Sequence, residues 1–100
     1  MMDKYKQNWV VVCSEWDVAK TMISNIENSS DKEILRRIIG KYELRTDFSD
    51  GTQLRWIQTS CSARGYRFGK LWCDKEINKV VLEQVILPMY FGEIEDIVWF

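Results

Sequence analysis

The sequence predicts an α/β domain, a mainly parallel sheet packed against helices and carrying one antiparallel β-hairpin. Three observations carry this. Short, continuous apolar runs at Asn8–Cys13 (N-W-V-V-V-C) and Leu71–Cys73 (L-W-C) suit strands buried on both faces. Amphipathic segments of helical period lie between those runs. Residues 42–59 alternate with period two around an Asp50-Gly51 turn signal. The expected order is β-α-α-β-β-β-α-β in two or three layers, with right-handed crossovers joining the parallel strands. An α+β sheet with the hairpin at its centre is the alternative.

A chain of 100 residues makes a single domain, residues 1–100. Its 46% apolar and 29% charged residues are those of a soluble globular protein. A net charge of −1 excludes a strongly basic nucleic-acid protein and a highly acidic mimic of DNA. Thirteen aromatic residues, five of them Trp, are many for this length, and exposed Trp and Tyr mark contact sites. The three cysteines, Cys13, Cys61 and Cys73, are odd in number and form no C-x-x-C. With no histidine, a zinc site would need three thiolates and a carboxylate, and the Ser-His and Cys-His nucleophile pairs are excluded. No apolar run approaches ~20 residues, and the N-terminus lacks a signal-peptide core. The expectation is a cytoplasmic chain with reduced thiols, no cofactor and no membrane contact.

Taken in order, Asn8–Cys13 is the first strand. Ser14 opens a helix, with Asp17 completing a capping box. Ala19, Met22, Ile23 and Ile26 form its apolar stripe, and it stops within Glu27–Ser29. A second capping box, Ser30 with Glu33, predicts a second helix that buries Ile34, Leu35, Ile38 and Ile39 and ends at Gly40. Arg36, Arg37 and Lys41 then form a solvated last turn, where the helix dipole favours cations. The hairpin follows, Tyr42–Phe48 paired with Thr52–Thr59, its outward face carrying Glu43, Arg45, Gln53 and Arg55. After the loop Ser60–Gly69 come the strand Lys70–Cys73 and a helix capped by Asp74. That helix runs through Val80, Val81, Val85 and Ile86 to Pro88. Asp96–Phe100 is the last strand.

Two features within Ser60–Glu76 could carry chemistry. Asp74 and Glu76 follow an apolar strand, as do the acids that hold magnesium and polarise water in P-loop ATPases. An N-cap Asp followed by first-turn Lys75 and Glu76 explains the same residues without any chemistry. Arg64, Arg67 and Lys70 interleave with Tyr66 and Phe68, a combination that holds phosphate and stacks a base, or forms a protein interface. Folding those aromatics back into the core is the structural alternative.

The run D-G-T-Q-L-R-W-I, then S-A-R-G-Y-R-F-G-K-L-W-C-D-K-E, then E-Q-V-I-L-P-M-Y resembles the ATPase domain of phage terminase large subunits. There a hairpin strand is followed by a serine-rich loop with R-G-x-R, a strand ending in Asp-Glu and an acidic helix start. W-V-V-V-C-S-E-W-D-V-A-K is similar to the strand and helix before that hairpin. No G-x-x-x-x-G-K-[ST] occurs, and Lys75 splits the acid pair. The resemblance therefore implies a cut-down relative that keeps a fold without the catalytic machinery. On this basis the chain is expected to be a small, non-catalytic binding protein encoded by a phage or another mobile element. Its expected target is a host or phage protein, as for an inhibitor of a host enzyme or defence system, contacted through Arg64, Tyr66, Arg67, Phe68 and Lys70. The alternatives are a nucleotide or nucleic-acid module using the same loop, and a degenerate magnesium-dependent ATPase-like enzyme using Asp74 and Glu76.

Overall fold

The computed structural model describes residues 5–58 and 66–100. Its described strands are β1 (Asn8–Val12), β2 (Ile34–Ile39), β3 (Leu44–Phe48), β4 (Gln53–Ile57), β5 (Lys70–Cys73) and β6 (Val98–Trp99). They form one sheet in the order β2-β3-β4-β1-β5-β6. β1 runs parallel to β4 and β5, and β5 parallel to β6. β2, β3 and β4 are antiparallel neighbours. This is the expected α/β sheet with an antiparallel hairpin, and β1, β5 and β6 lie side by side as the apolar runs imply.

Helix α1 (Trp16–Ser29) covers one face of the sheet. Its stripe buries Ala19, Ile23 and Ile26, with Met22 beside them, against Val11, Leu44, Phe48, Leu54, Trp56 and Trp72. The other face buries Val10, Val12, Ile57, Leu71 and Cys73 beneath the chain that follows β5. That cover is one turn of α-helix, α2 (Lys79–Val81), then a π-helical turn Leu82–Ile86 and a 3₁₀ turn Leu87–Met89 containing Pro88. Ile86 and Met89 are its buried side chains, and Phe68 and Tyr90 complete the layer.

Three expectations are corrected. The second helix is not a helix: residues 34–39 are β2, paired antiparallel with β3. Ile34, Leu35, Ile38 and Ile39 are few and mostly β-branched, so they fit a short strand as well as a helical stripe, and β3 offers them a partner edge. Ion pairs hold the result, Arg36 to Asp47 at 3.0 Å and Arg37 to Glu27 at 3.1 Å. Gly40 accordingly turns between strands rather than ending a helix, its N–H donating to the Glu43 carbonyl at 2.8 Å. Neither capping box forms. α1 starts after Glu15 with no side-chain cap, and the Ser30 hydroxyl accepts from Lys32 N–H in a local turn. The helix after β5 begins four residues later than expected, capped by Asn78, whose Oδ1 accepts from Val80 N–H at 2.8 Å.

The hairpin turn is as expected. Gly51 has φ +94°, a conformation that L side chains rarely adopt. Asp50 Oδ1 accepts from Thr52 N–H at 2.9 Å, and its other oxygen pairs with Lys32. The Lys32 ammonium, then the Thr52 N–H, hold the Asp50 carboxyl down at about 2.

Two titrations follow. Asp50 has a depressed folded-state pKa, so its contribution is present above the ordinary carboxyl value of 3.8 and is lost as pH falls towards 2. An acid titration of stability should show this loss, and Asp50→Asn should flatten it. Burial pushes the Cys13 thiol up to about 11 and the Cys73 thiol to about 12. Their stabilisation is present below the ordinary thiol value of 9.0 and lost as pH rises through 11 to 12. At about pH 8 both should resist alkylation in the folded protein and react once it is denatured, as mass spectrometry would show. Cys61 lies outside the described residues.

Candidate functional site

The two covering layers are of unequal reach. Helical chain covers β1, β5 and the end of β4 on the Val10–Val12 face, and nothing described lies over β2 and β3 there. The strand register places Arg36 and Ile38 from β2, Arg45 and Asp47 from β3, and Gln53 and Arg55 from β4 on this open half. Arg45 stands directly opposite Arg55. Opposed like charges are destabilising in a sheet unless something neutralises them.

Asp47 carries most of that task. It accepts from Arg36 Nη2 at 3.0 Å and Arg45 Nη2 at 3.3 Å through Oδ2, and its Oδ1 lies 3.1 Å from Arg45 Nε. Arg55 receives no carboxylate among the described residues; its Nη2 donates to Gln53 Oε1 at 3.2 Å, and its guanidinium stacks 4.3 Å from the Tyr66 ring centre. Two guanidinium groups thus share one carboxylate, and the third lies beside them. Arg55 Nε and Tyr66 Oη are both buried and find no acceptor among the described residues. Burial pushes the Tyr66 phenol up, against the opposing pull of Arg55 and Arg45, so it stays a neutral donor. Among the described residues this face therefore carries more cationic donors than carboxylate acceptors.

The loop residues named from sequence are dispersed. Tyr66 joins the arginine cluster. Phe68 is fully buried and bridges to Tyr90, so it packs the core. Exposed Arg67 lies 5.7 Å from the Phe91 ring, which also stacks on Tyr5. Lys70 projects from the opposite face, 4.7 Å over Trp9 and 5.2 Å over Trp72. Arg64 lies outside the described residues. Asp74 is the pivot of a turn rather than a helix cap, its Oδ1 accepting from Glu76 N–H at 2.9 Å, while Glu76 is exposed. Among the described residues no three Cys, Asp or Glu gather to hold a metal ion.

The sequence reading puts Arg45 and Arg55 on one outward face without naming them as direct opposites, although both lie five residues from Asp50 and the hairpin turn therefore sets them opposite. Arg36 was assigned to a helix and so could not be placed beside them. Fold and surface together define an α/β domain with a half-covered sheet and an arginine–tyrosine face. Compared with protein-family models, curated proteins and solved structures, the chain matches none.

Asp74→Asn should change stability by well under ~1 kcal/mol, because an Asn oxygen accepts in the same turn. Asn78→Ala should cost about 1 kcal/mol, because it removes the cap of α2. Chemical denaturation of both variants checks the contrast; a large loss in Asp74→Asn alone would return Asp74 to consideration as a ligand.

Proposed function

We propose that this chain is a non-catalytic binding protein that docks an acidic surface of a protein partner on the open half of its sheet. The observation that carries the reading is the opposed pair Arg45 and Arg55, with Arg55 Nε and Tyr66 Oη left without acceptors among the described residues. A partner carboxylate at the rim of this cluster would neutralise its excess charge, a charge-assisted contact about twice as strong as a neutral one. Arginine and tyrosine on a partly apolar face are also the residues enriched in protein interfaces. Ile38 extends the same region.

A nucleic-acid partner is less well served. Arg67 over Phe91 and Lys70 over Trp9 lie apart from the cluster, so the described cations form no continuous track for a phosphate backbone. A catalytic reading draws no support from Asp74, whose carboxylate is engaged by a backbone N–H in its turn. Occupying a partner's surface is enough to inhibit it. That agrees with a phage- or mobile-element-encoded inhibitor of a host enzyme, the role proposed here.

The test is affinity capture from a host lysate with the wild-type chain and with Arg45→Glu/Arg55→Glu, followed by a purified binding assay on the captured protein. The double variant should bind at least tenfold more weakly, since each reversal removes a charge-assisted contact and adds repulsion. Arg55→Gln, a milder change for folding, should weaken binding several-fold. Capture that disappears on nuclease treatment, with affinity falling steeply between low and moderate salt, would replace the protein partner with nucleic acid.

A further inference from the structure

The strand that borders the open half-sheet carries a second inference, which rests on the protein-docking reading above. β2 ends the sheet, and no described strand pairs with its outer side. Gly40 N–H bonds to the Glu43 carbonyl, and the register runs on through Ile39↔Leu44, Ile38↔Arg45 and Arg37↔Thr46. Antiparallel ladders alternate hydrogen-bonded and non-bonded pairs, so Arg36 and Ile38 turn their backbone groups towards β3. Arg37 and Ile39 therefore turn theirs outward. The register shifts between Ile34 and Arg36, so the regular free edge is Arg36–Ile39.

Two arginines and the register shift blunt this edge only in part. Leu35 is 66% and Ile39 58% exposed, although both arginines are present. Arg36 and Ile38 point to the open face with Arg45, while Arg37 and Ile39 point to the α1 face. On that side a hollow of about 310 Å³ opens between α1 and β2, lined by Ile23, Ile39 and Leu44 together with polar side chains that include Lys20, Glu27 and Arg37.

The geometry points to strand addition: β2 accepts an extended segment of the partner as a seventh strand, its acidic side chains alternating with apolar ones. Successive residues of such a strand face opposite sides. Those on the open side meet Arg36 and, behind it, the Arg45–Arg55 pair. Those on the other side cover Ile39 and the mouth of the hollow. A second copy of β2 is a poorer occupant. With Arg37 and Ile39 facing outward, the two antiparallel registers that overlap three residues of Arg36–Ile39 set Arg37 opposite Arg37, which repel, or Ile38 opposite Ile38, and neither brings a carboxylate to the arginines.

The probe is a capped synthetic peptide of alternating Val and Glu, seven residues long, with a Val–Lys peptide as control, titrated into ¹⁵N-labelled protein. The Val–Glu peptide should bind, slow amide exchange at Arg37 and Ile39, and bind Ile39→Pro at least about fivefold more weakly, through the loss of one outward N–H. Proline is tolerated on an edge strand where its missing N–H faces outward, and Ile39→Thr, which keeps the amide, should bind within about twofold of wild type. Should Ile39→Pro fail to fold, amide exchange in the wild-type protein decides alone. Unchanged binding by Ile39→Pro, or no slowing at Arg37 and Ile39, overturns strand addition. If Arg45→Glu/Arg55→Glu still abolishes partner binding in that case, the docking face stands without it. Concentration-dependent dimerisation lost in Ile39→Pro would assign the edge to a second copy and overturn the proposal, as would a single-stranded oligonucleotide that protects the same amides.

Discussion

The sheet depends on β1. Val10, Val11 and Val12 are fully buried, with neighbours on both edges and cover on both faces. Each such side chain contributes about 1.5–3 kcal/mol by leaving water. Hydrogen bonds at both ends of β1 then direct the rest of the chain. Gly69 N–H donates to the Asn8 carbonyl at 3.0 Å, Asp74 N–H to the Val12 carbonyl at 2.9 Å, and Trp56 Nε1 to the Cys13 carbonyl at 2.9 Å. At Gly69 the chain passes so close that an added Cβ would meet the Tyr5 carbonyl oxygen at 2.8 Å, so a larger residue there would force the strands apart.

A central strand covered on both faces needs two covering layers, and this chain has little with which to build them. α1 supplies one. The other is a single helical turn continued as π and 3₁₀ turns, a short and irregular lid whose buried side chains include Ile86 and Met89. It reaches over β1 and β5 and stops beside Tyr66. Among the described residues the hairpin and β2 are therefore clothed on one face only, and, Ile38 apart, their alternate residues on the uncovered part of the other face are polar. The candidate site is a direct result of that shortage of cover.

On the clothed face of the same strands, polar residues are resolved internally. Thr46 is buried there and donates its hydroxyl to Glu27 Oε2 at 2.5 Å, and Glu27 in turn pairs with Arg37. The contrast is informative. Where α1 brings a carboxylate to β2 and β3, cation and hydroxyl are both partnered. On the open face Asp47 is shared between two arginines, and Arg55 and Tyr66 are left over.

The α/β class, the hairpin with its Asp50-Gly51 turn, the buried runs that became β1 and β5, and the apolar stripe of α1 were determined by the sequence alone. Each is set by local periodicity or turn chemistry that needs no distant partner. Arg45 and Arg55 were legible in the same way, being symmetric about the turn. The state of residues 34–39 was not, because four apolar residues in so short a segment serve a helix or a strand equally. Pairing with β3 and the ion pairs to Asp47 and Glu27 decided it. Nor could sequence tell that Phe68 turns inward, that Lys70 emerges on the opposite face from Tyr66, or that Asn78 rather than Asp74 caps the late helix. Neighbouring residues in a strand face opposite sides, so a cluster in sequence is split by the sheet, and only the tertiary structure decides which half of it meets another element and which is left open.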